Sequence, residues 1–316
     1  MMFDGFRAGT YRPVLWFLIF MFMTAWIVIS GIRKGIEKYT KVLMPFLFIL
    51  ILVMDVRAVT LPGAVEGLRF LFRPDFSKVS AETILEALGQ GFFSLSIGMG
   101  TLITYGSYIN KKEHLGNAAL NVTIADTLIA VLAGIAIFPA VFAFGIEPGA
   151  GTGLVFKTLP LIFQEMPGGY IFSIIFFLLL AIAALTSTIS VLEVIVAFFS
   201  EELNISRRAA TMLATAAVGV LGIFAAGSWG WFAGLHVMNQ NFFGILDFTT
   251  ANILLPLGGF FIVIFVGWFM GTRRVHAELS NNGDLRVSYM PVFIFLVRFV
   301  APLAIALVFM NGLGWI

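Results

Sequence analysis

The chain contains no cysteine, three histidines and few charges: 19 Lys and Arg with 17 Asp and Glu make up 11% of 316 residues. The missing thiols exclude disulfides, zinc–thiolate sites and cysteine nucleophiles. Neither HExxH nor GxSxG occurs, so a membrane-embedded hydrolase built on Asp126 or Glu193 finds little support. A net charge of +2, spread along the chain, offers neither a basic patch for nucleic acid nor an acidic tail. What the chain has is hydrophobic residues, 60% of the total, with a mean hydropathy of +1.01. A lipid bilayer is its expected solvent.

A spanning helix needs roughly 20 mostly apolar residues. Such windows fall at 13–32, 42–62, 83–109, 117–145, 169–199, 209–226, 242–271 and 288–311, which predicts eight spans and an all-α integral membrane protein. The polar start MMFDGFRAGTYRP does not read as a cleaved signal, so the first span is expected to be retained. Arg33, Lys34, Lys38, Lys41, Lys111, Lys112, Arg207, Arg208, Arg273, Arg274 and Arg286 crowd one set of loops, which assigns that side to the cytoplasm. The opposite loops mix Arg7, Arg12, Arg69, Arg73, Lys78 and Lys157 with Asp4, Glu66, Asp75, Glu147 and Glu165. Both ends would then lie outside, which raises the expectation of further helices upstream.

The third window is unusual. GQGFFSLSIGMG, from Gly89 to Gly100, places four glycines and two serines in mid-span and predicts a break near Ser96–Gly100. Such a break would aim half-helix ends at a polar ligand, with Phe93, Ser94 and Ser96 lining it; a glycine-mediated helix crossing is the plainer alternative.

Ionisable residues inside spans mark function or demand a partner, and here they are Asp55, Arg57, Asp126, Glu193, Asp247 and Arg298. Asp55, Arg57 and Asp247 lie near expected helix ends, where an interfacial reading competes with a functional one; Arg298, too, is open to an interfacial reading. Asp126, in TIADTLIAVLAG, is over two turns into its helix and needs a proton, a cation or a hydrogen-bond donor. Ala183, Thr186 and Ser187 recur at i, i+3 and i+4, setting a carbonyl and two hydroxyls on one helical face. Hard cations favour such oxygens, whereas hydroxyls in membrane helices also bond back to the preceding turn.

Several segments in order, GIEKYTKVLMPFLFILI at 36–52, LPGAVEGLRFLFRPDFSKV at 61–79, GQGFFSLSIGMGTLITYGSY at 89–108 and ALTSTISVLE at 184–193, resemble the neurotransmitter:sodium symporter family. The resemblance implies a LeuT-like inverted-repeat fold in truncated form, lacking helices one to three. Within one transmembrane domain over 1–316, residues 13–62 would be the last two helices of the first repeat, 80–271 the second repeat, and 288–311 an additional helix.

The same resemblance implies sodium-coupled symport of an amino acid across the cell membrane by alternating access, without covalent chemistry. It assigns Ala183, Thr186 and Ser187 to one sodium site, and Ser94 and Asp126 to another. Each site would be incomplete without the first helix. Asp126 stands where many members have asparagine, and its charge is expected to serve in place of chloride. Phe93, Ser94, Ser96, Met99, Ser187 and Val191 match the substrate pocket, with Met99 in place of a common phenylalanine, which favours a hydrophobic or aromatic substrate. Gln90 and Asp247 match an outer gate, Tyr108 and Glu201 an inner one, and Glu193 a structural hydrogen-bonder. The implied partners are the amino acid, the bilayer, and either a second copy or an N-terminal half. A non-transporting scaffold, or a half-transporter needing a partner chain, is the competing expectation.

Overall fold

The computed structural model describes residues 2–109, 113–145, 151–237 and 240–315. Lys111, Lys112 and Glu147, used above for loop charge, lie outside the described residues. Apart from a two-residue ladder pairing His236–Val237 with Gln240–Asn241, the described residues are helical or in turns. This follows from the solvent: in lipid a helix satisfies its own backbone, whereas an open sheet edge does not.

Among the described residues, seven helices are long and apolar enough to cross a membrane. We label α1 Arg12–Ile29 and α2 Lys34–Val59; α3 and α4 are the shorter Ala81–Ser94 and Thr101–Tyr108. Then follow α5 Leu115–Ala143, α6 Gly169–Glu202, α7 Arg207–Ala226, α8 Phe242–Phe269 and α9 Met290–Gly312. The eighth expected span, 83–109, is the interrupted pair α3 and α4, with the break where the glycines predict it.

Proline shapes the longer helices. Wide, π-type turns at Leu154–Thr158, Thr249–Leu254 and Leu296–Val300 each lie just before a proline, Pro160, Pro256 and Pro302. A proline donates no N–H, so the turn before it widens without ending the helix.

Contacts divide the chain into two units: residues Met1–Pro74 with Thr127–Phe243, and Asp75–Asp126 with Gly244–Ile316. In the first unit α6 is the common partner, packing on α1, α2, α7 and the short helix Leu159–Glu165. Its Leu185, Ile189, Leu192 and Val196 repeat every three or four residues and meet Ile27 and Val28 of α1 with Ala210 and Ala214 of α7. Small residues permit close approach. A Cβ on Gly222 would lie 2.1 Å from the Phe17 ring, and one on Gly67 would lie 2.5 Å from Pro139. Thr24 and Thr188 hydrogen-bond between α1 and α6 at 3.0 Å. At about 0.6 kcal/mol for such a bond, packing and not polar glue dominates this interface. Outside the spans, Lys157 bonds Asp4 at 2.9 Å, and that hydrogen bond holds the Asp4 carboxyl below its ordinary range. Its contribution is present at neutral pH and is lost as pH falls through the lowered value.

In the second unit α8 packs on α9, and α3 on both. Ser80 caps α3 reciprocally with Thr83, Ser80 Oγ accepting from Thr83 N at 3.2 Å and Ser80 N donating to Thr83 Oγ1 at 3.3 Å. Between α3 and α4 the backbone turns left-handed at Ser96, Gly98 and Gly100, with φ of 54°, 89° and 80°. Gly98 has a second constraint, because a Cβ there would sit 2.2 Å from the Leu255 carbonyl oxygen of α8. Gly258 faces it reciprocally, at 2.5 Å from the Gly98 oxygen. Backbone packs on backbone, so the unwound segment is fixed by α8.

Gly98→Val combines a left-handed penalty of about 1–2 kcal/mol with a steric clash. A marked fall in thermal midpoint, followed by tryptophan fluorescence in detergent, is the expected outcome, while Gly91→Ala, where a Cβ meets nothing within 4 Å, leaves it nearly unchanged.

Candidate functional site

In the second unit the site is built at the end of α3. The amides of Leu95, Ser96 and Ile97 turn back to the carbonyls of Gly91, Phe93 and Phe92 at 3.1, 3.0 and 2.9 Å. This closes the α3 terminus within itself, and α4 restarts with the Thr104 amide on the Gly100 carbonyl at 2.9 Å. Ser94, on the last turn of α3, donates its hydroxyl to Asp126 Oδ2 of α5 at 2.5 Å. Of the three partners open to Asp126, a hydrogen-bond donor is therefore present. The bond also orients Ser94: its proton points at the carboxylate and its lone pairs remain for a cation.

Phe93 is 54% exposed beside this pair, while Ser96 and Met99 are half-buried in the unwound segment. Gln90 on α3 and Asp247 on α8 are both exposed. Tyr108, at the end of α4, is half-buried with its ring 6.5 Å from Tyr105. Asp247 thus stays near a helix end in open surroundings. Arg298 does not snorkel freely: it donates to the Gly267 carbonyl at 2.6 Å and to Thr272 at 3.1 Å, fastening α9 to the end of α8.

In the first unit the oxygen-rich face of α6 is present as the spacing predicts. Thr186 is buried, and its hydroxyl donates to the Ala183 carbonyl at 2.9 Å. Donor and acceptor keep lone pairs, so two hard oxygens sit together; Ser187 and Val191 are exposed on the same helix. Glu201 is exposed on the last turn of α6. The back-bonding reading of these hydroxyls is geometrically true of Thr186, Thr188 and Ser190, and a bound cation is compatible with it.

Below this face lies a network that sequence reasoning read only in part. Glu193 is fully buried and receives both arms of Arg207, at 3.0 Å from Nη1 and 2.5 Å from Nη2. The same guanidinium donates to the Val28 carbonyl, at the C-terminal end of α1, from Nε and Nη2 at 3.1 and 3.0 Å. One fork thereby ties α1, α6 and α7 together. Glu193 is a structural hydrogen-bonder as expected, but Arg207, taken above as a loop cation, is its partner. The available signal was a carboxylate on the buried stripe of α6 with an arginine opening the next helix. Asp55, for which an interfacial and a functional reading competed, is buried on α2.

A groove of about 920 Å³ in the first unit is lined by Phe3, Phe6, Phe156, Lys157, Tyr170 and Phe177 among others. None of the predicted site residues lines it, so concavity alone would have pointed away from the oxygen-rich faces.

Apolar spans and one interrupted helix, with hydroxyl, carbonyl and carboxylate oxygens at its end, define a multi-pass membrane protein of the broken-helix class. The chain belongs to the sodium:neurotransmitter symporter family, whose model matches residues 8–314. It is 41% identical over 305 residues to a sodium-dependent transporter of Haemophilus influenzae, covering 96% of this chain and 66% of that protein. A Bacillus subtilis sodium-dependent transporter, YhdH, is 37% identical over 297 residues, covering 94% of this chain and 66% of that one. Among solved structures, MhsT in complex with L-phenylalanine superposes with a TM-score of 0.87 at 43% identity, covering 98% of this chain and 70% of that one. The chain spans just under two thirds of the length of these two curated relatives. The two curated relatives are described as sodium-dependent transporters, which leaves the hydrolase reading without support.

Removing one arm of the buried ion pair is expected to cost about 3 kcal/mol, because the remaining charge is left without compensation. Arg207→Met should therefore lower the thermal midpoint sharply, and adding Glu193→Gln to it should restore much of the loss.

Proposed function

We propose that this chain forms the cation- and substrate-binding part of a sodium-coupled amino-acid symporter, working by alternating access in a cell membrane. The observation that carries the proposal is the Ser94–Asp126 pair at the end of an interrupted helix. It combines a fixed carboxylate, an oriented hydroxyl and unwound backbone in one place. Half-helix ends and freed backbone groups are the means by which secondary transporters bind ions and polar substrates in mid-membrane.

Two sodium sites are proposed: Ser94 with Asp126, and Ala183, Thr186 and Ser187. Each takes further ligands from a segment outside this chain, whether an N-terminal portion or a second copy. Phe93, Ser94, Ser96, Met99, Ser187 and Val191 are the proposed substrate contacts, with Gln90 and Asp247, and Tyr108 and Glu201, as gates. The whole chain is read as one transmembrane domain, with 13–62, 80–271 and 288–311 as its parts. A hydrophobic or aromatic amino acid is the proposed substrate; the exposed Phe93 ring, the flexible Met99 thioether and the likeness to a protein solved with L-phenylalanine support it.

Binding of radiolabelled L-phenylalanine to the purified chain in nanodiscs, in sodium against potassium, tests this. Saturable sodium-dependent binding, weakened about tenfold or more (~1.4 kcal/mol) by Thr186→Ala and by Asp126→Ala, is expected. A folded chain that binds equally in potassium, or whose binding survives both substitutions, contradicts the assignment.

A further inference from the structure

The buried face of α2 carries one residue that neither site uses. Leu47, Leu50, Ile51, Met54, Asp55 and Ala58 repeat at three- and four-residue steps and form the stripe packed against α6. Leu47 and Leu50 meet Ile182 of α6, and one turn on Met54 joins the cluster holding Phe163, Met166 and Phe176. Asp55 follows Met54 on this buried stripe, 7% exposed, and neither carboxylate oxygen has a hydrogen-bond partner among the described residues.

The charged groups on the surrounding elements are engaged elsewhere or distant. Arg57, two residues on, donates from Nη2 to the Pro167 carbonyl at 3.1 Å and stacks over Phe172, while its Nε has no hydrogen-bond partner among the described residues. Glu66 and Arg69 on the packed helix Ala64–Phe72 pair with each other at 3.1 Å and are exposed. The stretch of α6 facing this level, Gly169 to Thr188, has no charged residue, nor has 127–143; Glu193 is held by Arg207, and Glu201, Glu202 and Glu165 are exposed. Lys34, Glu37, Lys38 and Lys41 stand at the other end of α2. A small void of about 10 Å³ on this face is lined by Met54, Arg57, Ala58 and Phe176 among others.

An ionised carboxylate with no donor and no counter-charge is costly in an apolar interior, whereas a neutral acid is far less so. We propose that Asp55 is a proton-binding site, loaded while α2 and α6 are packed and able to exchange its proton only when that contact opens. The ligand is a single proton, taken from water and returned to it, independent of the sodium ligands on α6 and α3.

Infrared spectroscopy of the chain in nanodiscs reads this directly. Near pH 7, where exposed carboxylates with ordinary values of about 4 are ionised, the wild type is expected to show a carboxylic-acid C=O band that Asp55→Asn lacks. Asn fits the same space uncharged, so the variant should fold, and its thermal midpoint should stay level as pH rises. The wild type should lose stability over that rise, because the folded state holds the extra proton. The proposal is overturned if the band is absent from the wild type or persists in Asp55→Asn. It is equally overturned if sodium stabilises the wild type over N-methylglucamine through Asp55, an effect then missing in Asp55→Asn. Failure of L-phenylalanine binding with the band intact would count against the symport reading and leave this one standing.

Discussion

Everything in this molecule answers to one constraint: in hydrocarbon, each backbone N–H and C=O must find a partner within the protein. Among the described residues, seven long helices meet it internally. The segment from Leu95 to Gly100 does not continue its helix, and it is tolerated only because its backbone is closed by local turns and pressed against α8 at Gly98, Leu255 and Gly258. The glycines there are therefore structural before they are functional. What the break releases is a chain end with oriented oxygens, and Ser94 and Asp126 are placed at that end.

The first unit solves a different problem. In lipid, apolar side chains gain little by leaving their solvent, so helix association rests on shape and on a few polar fastenings. The stripe from Leu185 to Val196 supplies shape against α1 and α7, and the fork of Arg207 on Glu193 and Val28 supplies the fastening. The oxygen-bearing turn of Ala183 and Thr186 lies two turns from Glu193 on the same helix. A defect in the fastening would let α6 rotate and would re-aim that oxygen-bearing face without touching it.

Much of this was legible from residue order alone. Apolar windows near 20 residues marked the spans, because bilayer thickness sets that length independently of fold. The break at Ser96–Gly100 could be anticipated because four glycines and two serines in mid-span weaken a helix, although a glycine-mediated crossing competed with it. Spacing alone placed Ala183 beside Thr186, since i and i+3 adjoin on any helix. What could not be read was partnership across the bundle. Arg207 looked like a loop charge, because its neighbour Arg208 and the preceding Ser206 cap are those of any helix start; only packing turns it onto Glu193. For Asp55 an interfacial and a functional reading stayed in competition, because hydropathy fixes depth along a helix and not the face a residue occupies; the structure puts it on the buried stripe of α2.

The central claim is that the span from Ala81 to Tyr108 is interrupted in the membrane. Amide hydrogen exchange of the chain in lipid nanodiscs, resolved by short overlapping peptides, addresses it most directly. The account predicts fast exchange at residues 95–100, flanked by protected amides in α3 and α4. Uniform protection from 84 to 108, as in a continuous helix, would contradict it.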